Sequence, residues 1–167
     1  MDIKYNYGVY RLNINIVCVG KIKESFYREA VAEYAKRLSR FCKFNVIEVS
    51  EELLTGDSQK IIDNVKQKEG QRILEKCKGH IIALDLKGKE LKSEELASYI
   101  DNLKVVGEST ITFVIGGSYG LSKEVLDNVD FKICFGKFTY PHQLMRVILT
   151  EQIYRAFMIN EGSTYHK

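Results

Sequence analysis

Apolar residues in this chain fall into short solid runs, and between those runs they recur every three or four positions. Ile14–Val19 is such a run, closed by Gly20, as expected of a strand buried on both faces. Phe44–Val49, His80–Leu86, Thr110–Ile115 and Phe131–Phe135 read as four further strands. Phe26, Ala30, Val31, Tyr34, Ala35 and Leu38 follow helical spacing and predict a helix over Ser25–Arg40. Ile61, Ile62, Val65, Ile73 and Leu74 predict a second over Ser58–Lys78, with Gly70 weakening its middle by about 1 kcal/mol. A helix over Ser93–Val106 with Ser93 as N-cap follows, then a short one over Ser122–Asp127 capped by Ser122. Pro141 sits in the first turn of the last helix, where its missing N–H costs nothing, and that helix runs to about Asn160.

Five strands alternating with helices predict an α/β fold, a mostly parallel sheet of five to six strands with helices on both faces. No repeat or low-complexity run divides the chain, and its single proline leaves no linker. The last helix departs from the pattern. Leu144, Met145, Val147, Ile148, Leu149, Ile153, Tyr154, Ala156, Phe157 and Met158 surround its axis, whereas a surface helix needs one apolar stripe. Such a surplus in a small chain points to a homodimer, with deep burial inside the monomer as the alternative.

At 167 residues the chain is long enough for one domain with a real core, and its 45% hydrophobic and 28% charged residues are those of an ordinary soluble globular protein. A net charge of +3 suits either a patch-wise RNA binder or a protein with no polyanionic partner. Cys18, Cys42, Cys77 and Cys134 form no Cys-x-x-Cys pair and have no histidine at zinc-ligand spacing, so no metal is expected. They read as small core residues in a reducing cytoplasm. No apolar stretch approaches the roughly 18 residues of a membrane span, and Met1–Leu12 lacks the apolar region of a signal peptide. Residues 1–13 read as an N-terminal extension ahead of a single domain over 14–167. Leu12 is a candidate alternative start, which would leave residues 1–11 extraneous.

Three loops follow predicted strands: Leu84–Glu90, Gly116–Gly120 and Phe135–Tyr140. Gly116-Gly117-x-x-Gly120 is neither a dinucleotide fingerprint nor a P-loop, and alone it reads as a tight turn. Three loops meeting at the carboxyl edge of one sheet make a ligand pocket, because strand ends and helix N-termini there expose unpaired backbone amides.

Val19-Gly-Lys-x-Lys, Lys68-Glu-Gly-Gln-Arg-Ile-Leu74, Phe113-Val-Ile-Gly-Gly-Ser-x-Gly-Leu121, Phe138-Thr-x-Pro-His-Gln143, Glu151-Gln-x-Tyr-Arg-Ala-Phe157 and the terminal Tyr165-His-Lys167 run through residues 14–167. In order and spacing they resemble the ribosomal RNA large-subunit methyltransferase H family of the SPOUT, or α/β-knot, superfamily. The resemblance implies a cytoplasmic homodimer with a C-terminal trefoil knot, contrary to ordinary topology rules. It also implies methyl transfer from S-adenosyl-L-methionine to N3 of pseudouridine 1915 in 23S rRNA of the assembled 70S ribosome, with no metal and no membrane. Carried across, the cofactor contacts fall on Leu84, Gly116, Phe135, Gly136, Lys137, Phe138, Thr139 and Tyr140. Family members often carry Ser in place of Gly136 and Phe in place of Tyr140, which matters little where the contacts come from backbone.

Methyl transfer from a sulfonium is an in-line displacement, so the protein mainly orients donor and acceptor. The acceptor imide must lose its N3 proton, which calls for a base or a cation at the developing oxyanions. The match of the terminal Tyr-His-Lys to the family makes His166 the candidate proton-handling group rather than a frayed end. Tyr165 is placed to stack on a base, worth about 1–3 kcal/mol. Arg146, near the same mouth, is a candidate phosphate ligand, or else a solvated helix charge. His142 is as fit for a structural role as for a catalytic one. Lys21, Lys23, Arg28, Lys137 and Lys167 are candidate phosphate contacts, while Lys36, Arg37, Arg40 and Lys43 read as a solvated face. Glu151 and Arg155 are spaced to pair on the last helix. A SPOUT tRNA methyltransferase and a non-enzymatic ribosome-binding factor are the competing functions, and saturable S-adenosylmethionine binding separates the last from both enzymes.

Overall fold

Strand β1 (Asn13–Val19) pairs in parallel with β2 (Lys43–Val49) on one side and β4 (Thr110–Ile115) on the other. Strand β3 (His80–Glu90) joins β4 to the edge strand β5 (Phe131–Cys134), giving the order β2-β1-β4-β3-β5 with every pairing parallel. The structure is a computed structural model that describes residues 11–166, so residues 1–10 and Lys167 lie outside it. Five strands are present among the described residues. The strand begins at Asn13 and Leu12 is buried against it, so both belong to the folded unit.

Alternation along β1 divides the core. Ile14, Ile16 and Cys18 face one side, where Leu38 of α1 (Ser25–Leu38), Ile100 of α3 (Ser93–Val105) and Leu149, Ile153 and Phe157 of α5 (His142–Asn160) pack. Val17 and Val19 face the other, against Ile73 of α2 (Gln59–Leu74) and Val125 of α4 (Lys123–Asp127). A sheet buried on both faces explains the solid apolar runs. Burial pushes the thiols of Cys18, Cys42 and Cys77 up to about 11, 12 and 11, which leaves Cys18 and Cys42 as inert core residues and Cys77 as a half-buried thiol beside the core.

Three local expectations change. Ser93 does not cap α3: Lys92 holds that position, Glu95 Oε2 accepts from the Lys92 amide at 2.7 Å, and the Ser93 hydroxyl donates to Gln152 of α5 at 2.9 Å. Helix α2 stops at Leu74 rather than Lys78, because the chain turns at Glu75–Cys77 onto Ile73 and Leu74 carbonyls. Strand β3 continues past Leu86 to Glu90, with a register jump against β5 between Leu84 and Lys89. Gly70, expected to weaken α2, is buried where a Cβ would collide with the Ser122 side chain, so the missing side chain lets α2 meet the cap of α4.

Candidate active site

The carboxyl ends of β3, β4 and β5 open into a cavity of about 740 Å3. Leu84, Asp85 and Leu86 supply one wall, residues 115–121 the floor, residues 133–136 and 138–141 the opposite wall, and His142 and Met145 of α5 the rim. Backbone geometry shapes the floor. A Cβ on Gly116 would stand 2.8 Å from the Gly120 carbonyl carbon, so the turn closes only around glycine, and the Gly120 amide donates to the Gly117 carbonyl at 3.0 Å. Gly136 turns the second wall with φ 102°, a conformation that a residue with a side chain adopts only with strain.

Of the eight residues expected to hold a cofactor, seven line this cavity: Leu84, Gly116, Phe135, Gly136, Phe138, Thr139 and Tyr140. Lys137 is exposed and outside it. The lining contains no lysine and no arginine, and Asp85 is its one carboxylate. His142 is half-buried, and burial followed by the positive Arg146 pulls its pKa below the usual 6.5, which favours the neutral ring. An apolar slot with one carboxylate and a neutral imidazole is chemically suited to a cationic donor with a flat heteroaromatic group. The sequence offers no separate signal for Asp85 and Ser118, and it marks Met145 only as one of the apolar residues around the last helix. Asp85 was legible only as part of the expected Leu84–Glu90 loop, which the structure places within β3.

Arg146 is not a phosphate ligand at the mouth. Its side chain is fully buried, donating to the Val19 and Gly20 carbonyls at 2.6 and 2.9 Å and to Glu48 Oε1 at 3.0 Å. It fastens α5 to the end of β1. Arg28 likewise spends its Nη1 on the Ile22 and Lys23 carbonyls, at 3.1 and 2.7 Å, holding the loop that presents the exposed Lys21 and Lys23.

The tail is docked rather than frayed, in a single 3-10 turn over Thr164–His166. The Tyr165 ring meets Tyr154 edge-on at 5.0 Å, its hydroxyl donates to Glu151 at 3.2 Å, and Arg155 stands 4.9 Å over its face while pairing with Glu151 at 2.6 Å. Burial raises the Tyr165 phenol to about 12. His166 Nε2 lies 2.7 Å from Glu94 of α3. Neither Tyr165 nor His166 lines the cavity of its own chain. No helix among the described residues is long and apolar enough to cross a membrane, and no cluster of metal-ligating side chains occurs among them.

Residues 12–166 match the family described as "Predicted SPOUT methyltransferase". The ribosomal RNA large subunit methyltransferase H of Lactiplantibacillus plantarum is 57% identical over 159 residues, covering 93% of this chain and 100% of its own. Its namesake in Clostridium beijerinckii is 54% identical with the same coverage of both chains. Among solved structures, a probable methylase family protein from Haemophilus influenzae superposes with a TM-score of 0.52 at 13% identity, covering 93% of this chain and 71% of that one, a likeness of fold alone. By sequence over nearly its whole length, and by the sheet and strand-end cavity just described, this chain belongs to the SPOUT methyltransferase family and, within it, to the relatives named ribosomal RNA large subunit methyltransferase H.

Proposed function

We propose that this protein transfers a methyl group from S-adenosyl-L-methionine to N3 of a pseudouridine in 23S rRNA of the assembled ribosome, in the cytoplasm. The observation that carries the donor half is the cavity lining, which has one carboxylate, a histidine whose neutral ring is favoured and no lysine or arginine. When bound, the donor supplies an electrophilic methyl on a positively charged sulfur. Backbone groups of the Gly116–Gly120 and Phe135–Tyr140 segments would orient it, and a neutral His142 adds no repulsion to that charge. The rRNA half is supported by the relatives' names and by the exposed Lys21 and Lys23 near the same sheet edge.

A homodimer belongs to this reading. Leu86 and Phe138 are 66% and 79% exposed beside the cavity, and Leu144, Val147 and Ile148 of α5 stay only partly buried, which supports a covering partner. The tail docks away from its own chain's cavity, so a second copy offers the route by which His166 would take the N3 proton and Tyr165 would stack on the base. A knotted C-terminal segment belongs to the same reading and rests on the chain's membership of the SPOUT methyltransferase family. Mass spectrometry of the 23S rRNA stem-loop from cells with and without the gene tests the whole: loss of one methyl from a pseudouridine is expected. An unchanged methylation pattern would reject the substrate.

A further inference from the structure

The Lys68–Leu74 motif belongs to α2, a helix that contributes nothing to the cavity lining, yet it carries a charged residue at the core. Glu69 is 4% exposed and lies on one helical stripe with the buried Val65 and Ile73. A carboxylate there is costly unless its oxygens are used. Glu69 Oε1 accepts from the Glu52 amide at 3.0 Å, in the loop between β2 and α2. Glu69 Oε2 lies 2.9 Å from where a Cβ on Gly117 would stand, with Val19 Cγ1 at 3.1 Å on the same spot. Glu52 is itself fastened to α2 by Lys68 at 2.8 Å and Arg72 at 2.5 Å. The next residue, Gly70, packs against Ser122 at the far end of the same turn.

We propose that Glu69 is a positioning residue of the donor site: from behind the cavity it braces the Gly116–Gly117 turn and ties that turn to the loop carrying Glu52. The inference rests on reading the cavity as the methyl-donor site. Glu69 does not line the cavity, so it acts through Gly117 and not on the donor. A turn that must hold a ligand within about 0.5 Å needs a rigid support of this kind. Gly117 has no left-handed backbone angle, so an alanine there is strained only by its contacts with Glu69 and Val19.

A double-mutant cycle on the dissociation constant of S-adenosylmethionine, measured by calorimetry, tests the brace. Gly117→Ala and Glu69→Ala should each weaken binding, and the pair should be about fivefold or more tighter than the product of the two losses, because removing Glu69 makes room for the new methyl. Glu69→Gln, which keeps an acceptor for the Glu52 amide, should recover most of the affinity lost in Glu69→Ala. In turnover the loss should fall on KM for the donor rather than on kcat. Additive losses, or a glutamine variant as weak as the alanine one, would overturn the brace while leaving the donor site standing. Failure of the unaltered protein to bind S-adenosylmethionine would overturn both. If Glu69→Ala does not fold, exchange of the Gly120 amide in Glu69→Asp and Glu69→Gln decides: faster exchange in the shortened aspartate alone supports the brace, and equal rates overturn it.

Discussion

Replacing Arg146 by methionine keeps an unbranched apolar stem that reaches about as far as Nε and removes the guanidinium beyond it. Three bonds disappear: those to the Val19 and Gly20 carbonyls and that to Glu48. Glu48 is 31% exposed and keeps the Ile22 amide, so it rehydrates at modest cost. The two carbonyls at the end of β1 lose a buried donor, and bonds to charged groups are worth about 1.5–3 kcal/mol each. Two such bonds together cost about 3–6 kcal/mol, a large part of a typical total of about 5–15 kcal/mol. For a chain of this size that corresponds to a fall in Tm of about 6–24 °C. The chain has no tryptophan, so urea unfolding followed by far-ultraviolet circular dichroism at fixed protein concentration is the assay. Arg146→Lys should lie between, since one ammonium cannot reach three acceptors in fork geometry. A loss below about 1 kcal/mol, together with a shallower salt dependence of RNA binding, would refute the pin and restore Arg146 as a phosphate ligand.

Gly116→Val should abolish S-adenosylmethionine binding in calorimetry while leaving far-ultraviolet dichroism unchanged, because the added carbons meet the backbone of Gly120 and Leu121 and open the turn. Deleting residues 163–167 should lower methylation by about 10²–10⁴-fold in a ribosome assay. It should also cost a measurable part of stability, since Tyr165 packs on Tyr154 and Arg155. The His142 ring should titrate by NMR with a midpoint below 6.5. Its folded-state pKa is depressed, so its contribution to stability is complete above about 6.5 and declines as the pH falls below that value.

The central strands β1 and β4 were legible because they are buried on both faces and are therefore largely apolar, with Asn15, Thr110 and Thr112 the exceptions. The end of β3 was not, because Lys87, Lys89 and Glu90 are exposed, and Lys89 and Glu90 rejoin β5 only beyond the register jump. The cavity followed from three loops at one sheet edge. The roles of Arg146 and Glu69 did not, although a signal existed for both: each charge lies on an apolar helical stripe, Arg146 with Leu149, Thr150 and Ile153, Glu69 with Val65 and Ile73. Charge in such a place means an internal partner, and neither partner is near in sequence. Glu48 lies 98 positions from Arg146, and Gly117 belongs to a loop two strands later than Glu69. The docked tail was illegible for a related reason: nothing in Thr164–His166 foretells that Glu151, Arg155 and Glu94 are waiting for it.

The way Arg146 ties the last helix to the end of the first strand also sets an order in time. That bond joins positions 127 apart, and β1 waits for a neighbour whose approach is already fixed 96 residues away, where Asn13 meets Ser109. A chain emerging from its N-terminus therefore holds β1 with one edge unpaired through most of its synthesis, and α5, which closes the core over it, arrives last. Contacts of such long sequence separation make folding slow. A maturing copy thus acquires its helix-capped cavity only at the end of translation, and truncation anywhere before Asn160 should leave a sticky, inactive sheet rather than a smaller working enzyme.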